Sequence, residues 1–150
     1  MKKILIFLLC LIPWFFSGLF MGNMDFYDNL YLPIFAPPGI TFGIVWPILY
    51  LLIAISIFMI ISNNKYKDNK SYYWSLIINY IFNQSFTILF FKLESPFLGM
   101  ISTIGTFVSS LFLYSTTKDI NKKASYFLIP YIIWGIFASI LSIPIYFMNV

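Results

Sequence analysis

The chain of 150 residues has no histidine, no arginine, one cysteine and five carboxylates. Without a second cysteine no internal disulfide can form, and Cys10, inside the first apolar run, says nothing of redox compartment and is expected to pack. Asp25, Asp28, Asp68, Glu94 and Asp119 all fall between the long apolar runs, so no expected span holds an acid or a base. That excludes proton-coupled carriers and ion pumps, which keep an ionisable residue within a span. The same shortage excludes metal centres, which draw on His, Cys and carboxylate clusters. Axially ligated haem is excluded too, since Cys10 and six Met offer no pairing motif. No metal and no resident cofactor are expected.

What is present is apolar length. Hydrophobic residues make up 61% of the chain and charged ones 9%, with a mean hydropathy of +0.89, whereas soluble domains carry about 25% charged residues. A helix needs about 20 mostly apolar residues to cross a hydrocarbon core roughly 30 Å thick. Such runs occupy 4–21, 41–62, 72–91, 96–116 and 124–148. The expected fold is therefore all-α and integral to the membrane, a bundle of five transmembrane helices forming a single domain over 1–150. The longest gap, 22–40, leaves no room for a soluble module.

With five spans, the N-terminus and the second and fourth loops share one side. They hold Lys2, Lys3, Lys65, Lys67, Lys70, Lys118, Lys122 and Lys123, against Lys92 alone on the other. By the positive-inside rule the N-terminus is expected in the cytoplasm and the C-terminus outside. The net charge of +4 is accounted for by this placement, so nucleic acid is not an expected partner. Met-Lys-Lys before an apolar run also suits a secretory signal, but residues 17–23 make a poor cleavage site and the first span is expected to be retained. The bias to Ile, Asn and Lys, with no Arg, points to an AT-rich bacterium and its plasma membrane.

Three local features bear on function. The first loop, NMDFYDNLYLPIFAPPGI over 23–40, is aromatic, has two Asp and three Pro, and lacks Lys. It is expected to be ordered, with Pro37 and Pro38 stiffening the entry to the second span. The third span carries Asn79, Asn83 and Gln84 at helical spacing, followed by Phe86 and Phe90. Amides in hydrocarbon must find partners, either as hydrogen-bonding glue between helices or as the polar end of a site. The third feature is aromatic surface, 22% of residues, with Trp46 and Tyr50 one turn apart and Trp134 deep in the fifth span, a composition suited to a flat apolar ligand. Trp14 and Trp74, near span ends, are expected instead to fill the core or to form interfacial belts. Small residues in the fourth span (Gly99, Ser102, Thr103, Gly105, Thr106, Ser109, Ser110) and the Gly18/Gly22 pair permit close helix approach. Packing within the bundle is favoured for both, with a homodimer as the alternative.

These residues resemble the TspO/MBR family of tryptophan-rich sensory proteins and translocator proteins, formerly the peripheral benzodiazepine receptors. YDNLYLPIFAPPGITFGIVWPILY from Tyr27 is similar to the family's WYxxLxKPxxxPP followed by FxxxWxxLY. INYIFNQSFTILFF from Ile78 resembles its third-span motif, and PYIIWGIFASILS from Pro130 resembles PYxxWxxFAxxLN. The resemblance reaches all five spans. It implies a five-helix bundle, often dimeric, whose cavity is lidded by the first loop and accepts porphyrins such as protoporphyrin IX and other flat apolar ligands. Carried over by position, the pocket comprises Tyr27, Pro37, Trp46, Tyr50, Asn83, Gln84, Phe86, Phe90, Trp134, Ala138 and Ser142. The chain departs from the pattern at Phe26, Leu32, Ile40 and Ser142, which replace Trp, Lys, Trp and Asn. Leu32 removes the lysine that would pair with a porphyrin propionate, and no Lys or Arg follows Tyr146 to complete a sterol-contact pattern.

The expected function is a membrane binding protein or sensor for tetrapyrroles. Two alternatives stand beside it: an enzyme degrading porphyrin with light and oxygen, in which Trp46 and Trp134 are the catalytic residues, and a tetrapyrrole or lipophile transporter. The last lacks a visible inverted repeat or energy-coupling group.

Overall fold

The computed structural model describes residues 2–20, 25–62 and 69–150. Among them are five helical segments long and apolar enough to cross a membrane: Lys2–Leu19, Ile40–Ile61, Lys70–Lys92, Pro96–Ile120 and Lys122–Met148. No strand occurs among the described residues. The polarity of the bundle is inverted relative to a soluble protein. Asn79, Ser102, Ser110, Thr117 and Ser125 are fully buried, while Ile48, Ile81, Phe112, Ile133 and Ile140 are more than half exposed. Only a hydrocarbon solvent makes that arrangement favourable. The chain is an integral membrane protein.

Three spans are less regular than the sequence suggests, each for a local reason. In the first, α1 (Lys2–Leu11) gives way to a 3-10 segment, Ile12–Phe20. Pro13 has no N–H to give to the turn before it, which suits a break there, and Tyr80 OH of the third span donates to the Pro13 carbonyl at 2.9 Å. After the short loop helix α2 (Asp25–Asp28) the second span is the uninterrupted α3 (Ile40–Ile61). The third span, α4 (Lys70–Phe86), ends in a π-helical segment, Thr87–Lys92, instead of continuing as α-helix. Leu93 N–H reaches back five residues to the Ile88 carbonyl at 2.9 Å, and the widened turn lets the adjacent Phe90 and Phe91 both be buried. The fourth span, α5 (Pro96–Ile120), starts on Ser95 as N-cap with Pro96 in its first turn. It runs four residues past the expected end, so Lys118 and Asp119 lie in its last turn.

The fifth span is broken. The short α6 (Lys122–Tyr126), capped by Asn121, is followed by a turn at Phe127 and Leu128 before α7 (Ile129–Met148). Pro130 explains the break, because it cannot donate into the preceding turn but suits the start of a new helix. Packing centres on α5, which lies most extensively against α4 and α7. Its small residues are spent there: a Cβ at Gly105 would come within 2.4 Å of the Phe82 ring, and Ser102, Thr103, Thr106, Ser109 and Ser110 are buried inside the bundle. Gly18 has open space around it, and Gly22, Lys65, Lys67 and Asp68 lie outside the described residues. Trp14 fills the core, one of the two packing roles expected for it. It is 2% exposed and packs against Tyr50 and Tyr80, while Trp74 is 64% exposed.

Candidate functional site

The polar face of α4 feeds one connected hydrogen-bond network that ties the bundle together. The Gln84 carboxamide sits between two backbone groups of the 3-10 segment, accepting from Ser17 N–H at 2.8 Å and donating to the Trp14 carbonyl at 3.2 Å. It stands where a peptide group would close the turn, and it also donates to Asn83 Oδ1 at 3.0 Å. Asn83 Oδ1 accepts from Tyr50 OH at 3.2 Å, and Asn83 Nδ2 donates to Tyr131 OH at 3.1 Å. Tyr131 OH in turn donates to Asn79 Oδ1 at 3.1 Å, and Asn79 Nδ2 donates to the Thr106 carbonyl and to Ser109 Oγ. Every span contributes a group, so each amide has the partners that hydrocarbon burial requires.

Beside this network lies a cavity of about 240 Å³. The 3-10 segment supplies Phe15, Ser17 and Gly18, α3 supplies Trp46 and Tyr50, α4 supplies Asn83 and Phe86, and the π segment supplies Phe90 and Phe91. Gly99 and Thr103 of α5 and Ala138, Leu141 and Ser142 of α7 complete the wall, with Tyr27 of the first loop above. The rings are ordered against one another. Trp46 and Tyr50 lie 5.5 Å apart at 33°, and Phe86 and Phe90 stack at 5.3 Å and 10°. Asn83 is the polar end: its carboxamide is held by Tyr50 and Tyr131 while the residue lines the wall.

Of the positions singled out from sequence, Tyr27, Trp46, Tyr50, Asn83, Phe86, Phe90, Ala138 and Ser142 come together around this cavity. Three others are placed off its wall. Gln84 is committed to the 3-10 backbone. Pro37 serves within the first loop instead, its carbonyl accepting from Tyr27 OH at 2.9 Å. Trp134 stands behind Phe42, edge-on at 5.9 Å, and against Phe137. Its indole N–H has no hydrogen-bond partner among the described residues.

The first loop is fastened at two points. Tyr27 is 3% exposed, and burial together with the Asp28 carboxylate beside it pushes its phenol up to about 12, so it remains a donor to Pro37 throughout the neutral range. Farther along, Asn149 accepts from Tyr31 N–H and donates to the Tyr31 carbonyl, both at 2.9 Å, and donates to the Ile145 carbonyl at 2.8 Å. Asn149, Phe42, Phe91 and Gly99 went unnoticed as site residues in the sequence. Of these, Phe42 and Phe91 lie within motif segments similar to the family's and Gly99 stands four residues from Thr103, while Asn149 left no signal.

Comparison with known proteins adds the evolutionary frame. The TspO/MBR family model matches residues 5–148. Among relatives, the chain is 35% identical to the tryptophan-rich protein TspO of Bacillus cereus, covering 89% of this chain and 86% of that one. It is 32% identical to the uncharacterized membrane protein YtaB of Bacillus subtilis, over 87% and 84% of the two chains. To the tryptophan-rich protein TspO of Archaeoglobus fulgidus it is 30% identical, over 89% and 88%.

Proposed function

The chain belongs to the TspO/MBR family, and from that premise we propose that it is a membrane binding protein or sensor for flat apolar ligands of the tetrapyrrole class, such as protoporphyrin IX. The observation that carries this reading is the pairing of ring walls with one fixed amide. Trp46, Tyr50, Phe86 and Phe90 offer π-faces to a planar guest, and Asn83 offers a carboxamide already oriented by two tyrosines. Such a site recognises shape and stacking with few polar contacts. The lysine asymmetry supports an N-terminus in the cytoplasm of a bacterial cell. Pairing of Asn149 with Tyr31 sets the C-terminus beside the first loop, as an odd number of spans requires.

The test is titration of the purified protein with protoporphyrin IX, following tryptophan fluorescence. Quenching is expected to saturate, and Trp46→Phe is expected to remove the larger part of it and to weaken binding by about three-fold to ten-fold, the worth of one aromatic contact. Unchanged quenching and affinity in that variant would count against the reading. Trp46 on the wall also favours a second reading, in which light and dioxygen oxidise the bound porphyrin beside an indole, with the chemistry residing in the porphyrin. Illumination with and without oxygen distinguishes the two: an enzyme gives one discrete product, only in oxygen, and loses it in Trp46→Phe.

A further inference from the structure

Tyr27, Phe42, Gly43 and Phe91 line the cavity on one side and, on the other, an outer groove of about 560 Å³ that continues over Ile40 to Asp28. The cavity alone, at about 240 Å³, falls short of the roughly 300–1,000 Å³ of pockets that enclose drug-sized ligands. A macrocyclic guest therefore has to use both spaces, and the four shared residues form the partition between them. Three of these are fixed or offer no obstacle. Tyr27 is buried and bonded to Pro37, Phe91 is buried and packed on Phe86 and Phe90, and Gly43 has no side chain and open space around its Cβ position. Phe42 is held by edge-on ring contacts, to Tyr27 at 5.2 Å and to Trp134 at 5.9 Å, and makes the movable part.

The groove also has a charge character. Asp28 stands at its rim over Gly39, where an added Cβ would lie 3.4 Å from the carboxylate oxygen. At the partition, Pro47 has no N–H to give to the Gly43 carbonyl one turn back, so that acceptor lacks its helical donor. An exposed carboxylate at the rim of an apolar path favours a guest edge that carries donors or positive charge and opposes a carboxylate.

We propose that the outer groove is a second ligand subsite, in series with the cavity. A flat apolar guest docks there before passing over Gly43 as the Phe42 ring moves aside, and guests with an uncharged or donor-bearing edge enter faster than dicarboxylates. The proposal rests on the cavity reading above.

The experiment is stopped-flow fluorescence with two probes, protoporphyrin IX and its dimethyl ester. Gly43→Val narrows the passage at a position with room for the side chain. Association of both probes is expected to slow on the order of ten-fold, the narrowed passage acting on either edge chemistry alike. Asp28→Asn is expected to speed association of the dicarboxylate about three-fold at low salt, less at high salt, and to leave the ester unaffected. Should Gly43→Val fold poorly, Asp28→Asn decides alone. Parent rates for both probes in both variants, with quenching intact, would overturn the groove as an entry subsite while leaving the cavity reading standing. Absence of quenching by either probe in the parent protein would overturn both.

Discussion

Gln84→Leu is expected to destabilise the bundle by about 2–4 kcal/mol, read as a lower midpoint of thermal or denaturant unfolding in detergent. The substitution keeps most of the volume and removes the carboxamide that bridges the Trp14 carbonyl and Ser17 N–H. An interhelical side-chain hydrogen bond in a membrane averages about 0.6 kcal/mol, because the displaced groups usually find other partners. Here the groups left behind are a backbone donor and a backbone acceptor in a buried 3-10 turn after Pro13, and each buried group without a partner costs about 1–3 kcal/mol. That difference decides the magnitude. Ile81→Ala, on the lipid side of the same helix and 58% exposed, serves as the control and is expected to change stability little. Equal midpoints for Gln84→Leu and the parent would show that the 3-10 segment is held by something else.

The second large effect is expected at Gly99. A Cβ there would lie 2.4 Å from Cδ2 and 3.1 Å from Cβ of Phe90, so Gly99→Ala forces the ring to move. Phe90 is 6% exposed, with Phe86 stacked on one side and Phe91 edge-on at 5.0 Å on another. The open direction is the cavity. Overpacking of this kind costs about 1–3 kcal/mol in stability, and a ring displaced into the site is expected to lower ligand affinity by about ten-fold or more. Adding Phe90→Ala removes the clashing ring atoms and leaves a contact at 3.1 Å that a few tenths of an ångström relieve. The double variant is expected to regain stability without regaining tight binding, since the Phe86–Phe90 stack is gone. Gly43→Ala, with nothing within 4 Å of the new methyl, is expected to match the parent in stability.

The architecture was legible in the sequence because spanning a bilayer imposes a length and a composition that few other constraints can imitate. All five spans overlap the runs read from hydropathy alone, with ends within a few residues. What hydropathy does not carry is the helix type inside a span. Pro13 and Pro130 mark their breaks, but the π turn at Thr87–Lys92 has no proline or glycine and follows from how Phe90 and Phe91 pack. The amide face of α4 was visible as a pattern, whereas the division of labour within it was not. Neighbouring amides at 83 and 84 look alike in sequence, yet one lines a cavity and the other closes a backbone turn. Trp134 shows the same limit, since depth in a span is encoded by position but the side toward which a ring turns is set by Phe42 and Phe137. The Asn149 clamp on Tyr31 joins residues 118 apart and leaves no local trace.

The most direct test of a guest held inside the bundle is to fill the cavity. Ala138 lines the cavity and takes no part in the amide network, so Ala138→Phe occupies the space while the hydrogen bonds that hold the fold remain. Titrated with protoporphyrin IX, the parent protein is expected to show saturable quenching of Trp46, and the filled variant, with a parent-like unfolding midpoint, is expected to show almost none. Full quenching with unchanged affinity in the filled protein would place the ligand elsewhere on the molecule and contradict the cavity as its site.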